Sequence, residues 1–185
     1  MSASAHQAWV DSVLTHAEAC GAEGATAVAY LRKHRTKIGF WRARSNVGAF
    51  WTPFRNIRLN SAHYSYDTPM STVRLLTLVI HEARHLQQGP AMALSVYGEL
   101  DAWQMEFGLF RRLTGKELPP ALVELTALPL SWDRNVLRDA QRLMQVYAGK
   151  GYRADLLPLY PIHHELAYLL FRKVPAGDQA TITIL

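Results

Sequence analysis

The sequence predicts an α+β protein in which a small, mostly antiparallel sheet packs on one buried helix. Residues 75–89 read LLTLVIHEARHLQQG, and an apolar run that ends at a glycine is typical of a buried helix. Residues 37–61 are instead rich in aromatic and β-branched side chains, which favour strands. Helical periodicity returns after position 94, and no repeat or linker divides the chain. We therefore predict a single domain over residues 1–185.

The composition predicts a globular, cytoplasmic protein. Of the 185 residues, 49% are hydrophobic and 19% are charged, which is typical of folded domains. No apolar stretch reaches the roughly 18 residues that a membrane span needs. The first residues lack the basic and apolar regions of a secretory signal. Cys20 is the only cysteine, so we expect no internal disulfide and assign it as a small buried apolar residue.

Two helices are predicted before the strands. Residues 5–20 follow an amphipathic pattern, with Ser4 as the predicted N-cap and Gly21 as the predicted end. Residues 25–34 are predicted to form the second helix. Neither segment carries a recognisable chemical motif.

A β-hairpin is predicted next. Residues 37–43 and 48–61 are the strand segments, and Ser-Asn-Val-Gly at 45–48 is the predicted turn between them. Pro53 cannot donate a hydrogen bond to a sheet, so it indicates a bulge or an edge position. The last part of this segment, residues 57–61, is predicted as a strand directly upstream of the buried helix.

The buried helix contains the sequence His-Glu-x-x-His. A threonine and a proline at 68–69 predict its start, and a glycine and a proline at 89–90 predict its end. His81 and His85 lie one turn apart on one face, so both imidazoles can bind one metal ion. Glu82 is rotated from His81 by about 100°, so it can act as a general base on a water molecule at the metal. The alternative is a helix with ordinary polar or hydrogen-bonded histidines.

A hydrolytic zinc site needs a third protein ligand besides two histidines. Residues 94–113 have helical periodicity, and Gly115 follows them as a stop. This second helix can pack back against the first and bring an acidic side chain to the metal. The candidates are Glu99, Asp101 and Glu106.

Together with Glu-Leu-Asp-Ala at 99–102, the histidine motif resembles the gluzincin group of zinc metallopeptidases, in particular its small single-domain members, the minigluzincins. The resemblance covers residues 56–103. It implies a zincin-like fold, a Zn²⁺ cofactor and a peptide or protein substrate. The metzincin pattern does not fit, because no third histidine follows at the required spacing. The roles that the gluzincin resemblance implies are zinc ligation by His81, His85 and Glu99, and general-base catalysis by Glu82.

The chain departs from the gluzincin pattern at one position. Some gluzincins have an aspartate four residues after the ligand glutamate, where it orients a zinc histidine, but this chain has Trp103 there. Asp101 or Glu106 would then have to supply the orienting carboxylate. The resemblance also implies that an edge strand borders the cleft and pairs with an extended substrate. We assign that role to residues 56–61, for which a simple capping strand is the alternative.

The second half of the chain is predicted to be mostly helical. Prolines at 119–120 begin a helix that runs to Leu128, and Asp133 caps a helix that runs to Ala148. Residues 149–164 are predicted to form an ordered loop that carries several aromatic and basic groups.

A metallopeptidase of this type also needs a donor that stabilises the oxyanion of the reaction, often Tyr, His or Arg. We assign this role to Tyr152 or His163. The sequence also gives an alternative for His163, because Pro161 can open a last helix that runs to Lys173. The tail at 181–185 is compatible with a short strand or with disorder.

The net charge of +5 and the pI near 9.5 suggest a different class of function. Eight Lys and Arg residues cluster between positions 32 and 58 with aromatic residues interleaved among them, and such a surface could bind single-stranded nucleic acid. The alternation of a strand favours a simpler interpretation, with the aromatic rings in the core and the arginines in water.

Three functional hypotheses follow. The primary one is a zinc-dependent peptidase that hydrolyses peptide bonds. The second is a zincin-type scaffold that binds metal or protein without turnover. The third is a nucleic-acid-binding protein that uses the basic hairpin. We expect no membrane partner, and the oligomeric state stays open.

Overall fold

The described part of the chain, residues 2–149 and 152–171 of a computed structural model, contains eight α-helices and three strands. The predicted α+β class is therefore confirmed. A short 3-10 helix, Ala154–Leu156, precedes the last α-helix. The elements are α1 (Ala3–Glu18), α2 (Ala22–Lys33), β1 (Lys37–Trp41), β2 (Ala49–Thr52), β3 (Asn56–Asn60), α3 (Val73–Gln88), α4 (Pro90–Ala93), α5 (Val96–Thr114), α6 (Pro120–Ala127), α7 (Arg134–Ala148) and α8 (Ile162–Phe171).

The first two helices begin earlier than predicted. Ser2 caps α1 by accepting a hydrogen bond from the backbone N–H of Ala5 at 3.2 Å, so the assignment of Ser4 as the cap is wrong. Gly21 does not end α1 but precedes α2, which begins at Ala22. Its φ of 112° lies in the region that favours glycine and allows the sharp turn between the two helices.

The helix that carries the histidines starts later than predicted. Thr68 and Pro69 lie in the turn before it, and α3 begins at Val73 after Thr72. The Thr68 hydroxyl accepts the backbone N–H of Ser65 at 2.9 Å, so it stabilises the preceding turn instead of a helix start. The predicted end is confirmed, because Gly89 follows α3 with φ 76°.

The three strands form a mixed sheet in the order β1-β3-β2. β1 pairs with β3 in parallel, and β2 pairs with β3 in an antiparallel hairpin. The predicted hairpin between the first two strand segments is therefore wrong, as is the prediction of a mostly antiparallel sheet. The assignment of residues 56–61 as the edge strand is also wrong, because β3 lies at the centre.

Asn60 explains why the predicted hairpin does not form. Its side chain is fully buried at the end of β3. The amide nitrogen donates to the carbonyl oxygens of Arg44 at 2.9 Å and Val47 at 2.7 Å, and the amide oxygen accepts the N–H of Ala43 at 3.1 Å. These bonds hold the connection after β1 against the end of β3, so β1 and β2 lie on opposite sides of it. Pro53 lies in the turn between β2 and β3.

Helix α3 is buried in the first of two apolar clusters. The first cluster joins α3 to α1, α2 and the sheet, and the second joins α5, α6 and α7 to the segment that follows α7. Leu75, Val79 and Ile80 of α3 have no exposed surface. Because α5 packs along α3, the two helices hold their facing side chains at fixed positions.

Several other predictions can be compared with the structure. Cys20 is buried, as predicted, and burial raises the pKa of its thiol. The predicted cap of α7 is confirmed, because the Asp133 carboxylate accepts the N–H of Asn135 at 2.7 Å. Within residues 2–149 and 152–171, no helix combines the length and apolar character that crossing a bilayer requires. The tail at 181–185 and the end of the predicted last helix, residues 172–173, lie outside the described residues.

Candidate metal centre

Three potential ligand atoms converge between α3 and α5. His81 and His85 extend from α3, and their Nε2 atoms face each other at 2.9 Å. Glu99 extends from the first turn of α5, and its Oε1 lies 3.5 Å from the Nε2 of His85. The three ligand atoms all lie within 4.8 Å of one another. The structure therefore brings together the three residues that the sequence predicts as metal ligands.

The orientation of His81 is fixed by a buried carboxylate on α5. The Nδ1 of His81 lies 2.9 Å from the Oε2 of Glu106, so its Nε2 is turned to the other ligand atoms. The second oxygen of Glu106 pairs with Arg74 at 2.8 Å. Burial disfavours the charged imidazolium, but Glu106 outweighs that effect and raises the pKa of His81 to about 9. Binding of a metal at Nε2 would therefore release a proton from this histidine.

The orientation of His85 is fixed through Gln88. The Gln88 amide nitrogen donates to Asp101 Oδ2 at 2.7 Å and to the Gly98 carbonyl at 3.0 Å. Its amide oxygen is thereby turned to His85, and it accepts the Nδ1 proton at 3.1 Å. Burial lowers the pKa of His85 to about 4, so this imidazole is neutral near pH 7, as a metal ligand must be. Arg84 also donates to Asp101 Oδ2, at 2.7 Å from its Nε.

The two carboxylates that the sequence offered as alternative orienting groups thus contact different parts of the site. Glu106 reaches His81 directly, whereas Asp101 reaches His85 through Gln88. Sequence reasoning missed Gln88, although its position three residues after His85 places both side chains on one face of α3.

Glu99 is held by two hydrogen bonds that leave one of its oxygens free. Its Oε2 accepts the indole N–H of Trp103 at 3.0 Å and the hydroxyl of Tyr152 at 2.7 Å. Oε1 is the oxygen that faces the histidines. Burial and the charge of Glu99 raise the pKa of Tyr152 well above its usual value, so its hydroxyl stays a donor. The tryptophan that departs from the gluzincin pattern therefore orients Glu99 itself.

Glu82 lies next to the three ligands and is almost completely buried, with 4% of its surface exposed. Burial raises the pKa of Glu82 to about 7; Glu99 and Glu106 add to this effect, and His81 opposes it. A carboxylate with a pKa near neutrality can both accept and return a proton, which is the requirement for a general base.

The three candidate ligands and Glu82 line a cavity of about 670 Å³ that is open to solvent. Strand β2 forms one wall through Ala49, Phe50 and Trp51. The N–H of Asn60 donates to the Gly48 carbonyl at 2.9 Å, so Gly48 and Asn60 form a hydrogen-bonded pair. In an antiparallel sheet every second residue of β2 is then hydrogen-bonded to β3, and the residues between them are not. The backbone groups of Ala49 and Trp51 therefore point away from β3. β2, and not β3, is the edge strand that borders the cavity.

The two residues assigned as oxyanion donors differ in position. Tyr152 lines the cavity, but its hydroxyl donates to Glu99. His163 lies in the first turn of α8 with an exposed side chain. Its ring contacts that of His164 at 4.2 Å between centroids, and it does not line the cavity. The structure therefore does not support a role for His163 at this site.

The residues present fit a divalent transition metal. Two imidazole nitrogens and one carboxylate oxygen are a ligand set of hydrolytic zinc sites, and each ligand has a hydrogen-bonding or ion-pairing partner on the atom that faces away. Comparison with known proteins finds no matching family model, no similar curated protein and no similar solved structure. The gluzincin resemblance stays a prediction from the motif.

Proposed function

We propose that the chain is a zinc-dependent peptidase whose catalytic centre lies in the cavity between α3, α5 and β2. The observation that carries the proposal is the convergence of the His81 and His85 Nε2 atoms with Glu99, next to the buried carboxylate of Glu82. Two buried histidines and a partly buried glutamate that face one point are most simply explained by a cation, because buried polar groups are costly without a partner.

His81, His85 and Glu99 would hold the ion in this proposal. A bound Zn²⁺ would polarise the scissile carbonyl and lower the pKa of a water molecule toward 7. Glu82 then accepts the proton of that water and passes it to the leaving amine. Burial of the cavity floor strengthens each of these electrostatic interactions.

The substrate in this proposal is an extended peptide that pairs with β2. The outward N–H and C=O groups of Ala49 and the outward C=O of Trp51 offer hydrogen bonds to a peptide backbone, independently of its side chains, whereas the N–H of Trp51 faces the Glu82 carboxylate. Aromatic rings form much of the opposite wall, through Trp103, Phe107 and Tyr147, and they favour an apolar side chain beside the scissile bond.

Replacement of Glu82 by glutamine tests the proposal. The amide keeps the size of the side chain but cannot accept the proton, so we expect zinc content to stay unchanged and hydrolysis to fall by about 100-fold or more. The measurement is cleavage of an unfolded, fluorescence-quenched protein substrate by the zinc-loaded variants, with zinc content determined on the same samples. Glu124→Gln, at an exposed position on α6, is the matched control.

Full activity in Glu82→Gln would contradict the assignment of the base. Zinc bound to the wild type without cleavage of any unfolded substrate would instead favour the second hypothesis, a metal-binding scaffold without turnover.

A further inference from the structure

The other edge of the sheet borders a second groove. This groove has a volume of about 890 Å³ and lies between α1 and β1, whereas the candidate metal centre lies next to β2. Residues from α1, including His6, Gln7 and Val10, face the backbone of β1 across it. A groove between a helix and an edge strand has the form that peptide-binding domains use to add a strand to their sheet.

The backbone of β1 has free hydrogen-bonding groups along this groove. The N–H of Ser61 donates to the Trp41 carbonyl at 3.0 Å, and in a parallel pair this bond fixes which residues face β3. The backbone N–H and C=O groups of Lys37, Gly39 and Trp41 point to β3. Those of Ile38 and Phe40 therefore point away from the sheet, toward the groove. Within the described ranges, the outward N–H and C=O groups of Ile38 and Phe40 form no hydrogen bond.

The groove is positively charged at the same edge. Arg35, Lys37 and Arg58 line it, and none of the three has a carboxylate within ion-pair distance in the described part of the chain. Arg32 also lines the groove but pairs with Glu18 at 2.8 Å. The acidic side chain in the lining is that of Asp11 on α1.

A glycine at the centre of β1 leaves room for one of these cations. Gly39 pairs with Arg58 of β3, and a β-carbon at Gly39 would lie 2.9 Å from the Nη1 of Arg58. The guanidinium therefore lies over the backbone of β1, close to the edge that a ligand would approach.

From these observations we propose that the groove binds an extended acidic peptide segment of a partner protein, which adds to β1 as a fourth strand. The outward groups of Ile38 and Phe40 pair with the peptide backbone, and Arg35, Lys37 and Arg58 pair with its carboxylates. This binding requires neither metal nor hydrolysis. Its test is therefore independent of the proposed peptidase activity.

The contacts of the aromatic residues favour a peptide over a nucleic acid. The rings of Phe40 and Tyr66, which line the groove, are partly buried and pack against Trp9 at 5.0 and 5.5 Å between centroids, which limits the ring surface on which bases could stack. Backbone groups of a strand edge also find their complementary donors and acceptors in another peptide backbone.

The binding test uses a fluorescein-labelled peptide of five Val-Glu repeats and measures fluorescence anisotropy at low salt. The protein carries Glu82→Gln, so that the peptide is not cleaved in the metal centre. We expect saturable binding that is about tenfold or more tighter than that of a Val-Lys peptide of equal length. The same peptide with alternate backbone nitrogens methylated cannot pair with a strand, and we expect it to bind about tenfold more weakly.

Charge reversal locates the binding site. Arg35→Glu combined with Lys37→Glu is expected to weaken binding of the Val-Glu peptide by about tenfold or more. Arg138→Glu, at an exposed position on α7, is the matched control and is expected to leave the affinity unchanged.

Three results would overturn the proposal. Absence of binding would mean that the cations only protect the edge strand from aggregation. Unchanged binding of the methylated peptide, or unchanged binding by the charge-reversed protein, would exclude strand addition at β1. Tighter binding of a ten-nucleotide oligothymidylate than of the Val-Glu peptide would assign the groove to nucleic acid.

Discussion

At the scale of single residues, every candidate ligand is fixed by a partner on the atom that faces away from the proposed ion. Glu106 contacts His81, Gln88 contacts His85, and Tyr152 contacts Glu99. Such contacts hold imidazole and carboxylate groups in the orientation that a metal needs, and their loss typically lowers metal affinity. The site is therefore prepared for an ion by its own hydrogen bonds.

Glu106→Gln tests this role for His81. The amide removes the negative charge beside Nδ1, so we expect zinc affinity to fall by about 10- to 100-fold. Competition with a chromophoric chelator measures the affinity, and Asp139→Asn on the exposed face of α7 is the control. Zinc affinity equal to that of the wild type would show that Glu106 does not orient the ligand.

Tyr152→Phe distinguishes two roles of the tyrosine. The hydroxyl donates to the charged carboxylate of Glu99, and a hydrogen bond to a charged group contributes about 1.5–3 kcal/mol. We therefore expect zinc affinity to fall by about tenfold, the lower end of that range. If kcat falls while zinc affinity is unchanged, Tyr152 acts on the substrate instead.

Tyr147→Phe is the matched control for this experiment. Tyr147 lines the same cavity, and its hydroxyl makes no hydrogen bond within residues 2–149 and 152–171. Loss of that hydroxyl should leave zinc affinity unchanged.

At the scale of elements, the junction between α4 and α5 positions Glu99. Ser95 is fully buried, donates its hydroxyl hydrogen bond to the Met92 carbonyl at 2.6 Å and accepts the N–H of Gly98 at 3.0 Å. Gly98 lies against the Met92 carbonyl so closely that a β-carbon there would collide with it. The sharp turn from α4 into α5 therefore depends on a glycine one residue before the ligand.

Two alanine substitutions in α5 should have opposite effects. Gly98→Ala forces the α4–α5 junction apart and is expected to lower the free energy of unfolding by about 1–3 kcal/mol. Gly108→Ala meets no atom within 4 Å and is expected to raise it by up to about 1 kcal/mol, because alanine has the higher helix propensity. Urea unfolding measures both values. Equal effects of the two substitutions would contradict the proposed close contact.

At the scale of the whole molecule, most helices and some of their ends could be predicted from sequence, whereas the strand order could not. Helix ends depend on local signals such as Asp133 and Gly89, which act within a few residues. The strand order depends on Asn60, whose side chain bonds with backbone groups 13–17 residues away in the sequence. No local pattern indicates such bonds, so the sequence predicts a hairpin turn at 45–48 that the structure does not contain.

In the candidate site, too, the local features could be predicted from the sequence and the long-range contacts could not. His81, His85 and Glu82 follow from helical spacing alone, because they lie within five residues of one helix. The bond of Tyr152 to Glu99 joins residues that are 53 positions apart, and its hydroxyl could not be placed before the fold was known. Gln88 and Trp103 lie three and four residues from the ligands they orient, so helical spacing could have indicated both.

The central claim is that His81, His85 and Glu99 hold zinc, and elemental analysis of purified protein tests it most directly. The comparison uses wild-type protein, Glu99→Ala and, as the control, Glu124→Ala. All three are purified without added metal, dialysed against zinc, and then dialysed against buffer. We predict one zinc per chain in the wild type and in the control, and a strongly reduced content in Glu99→Ala. Absence of metal from the wild type after dialysis against zinc would contradict the claim.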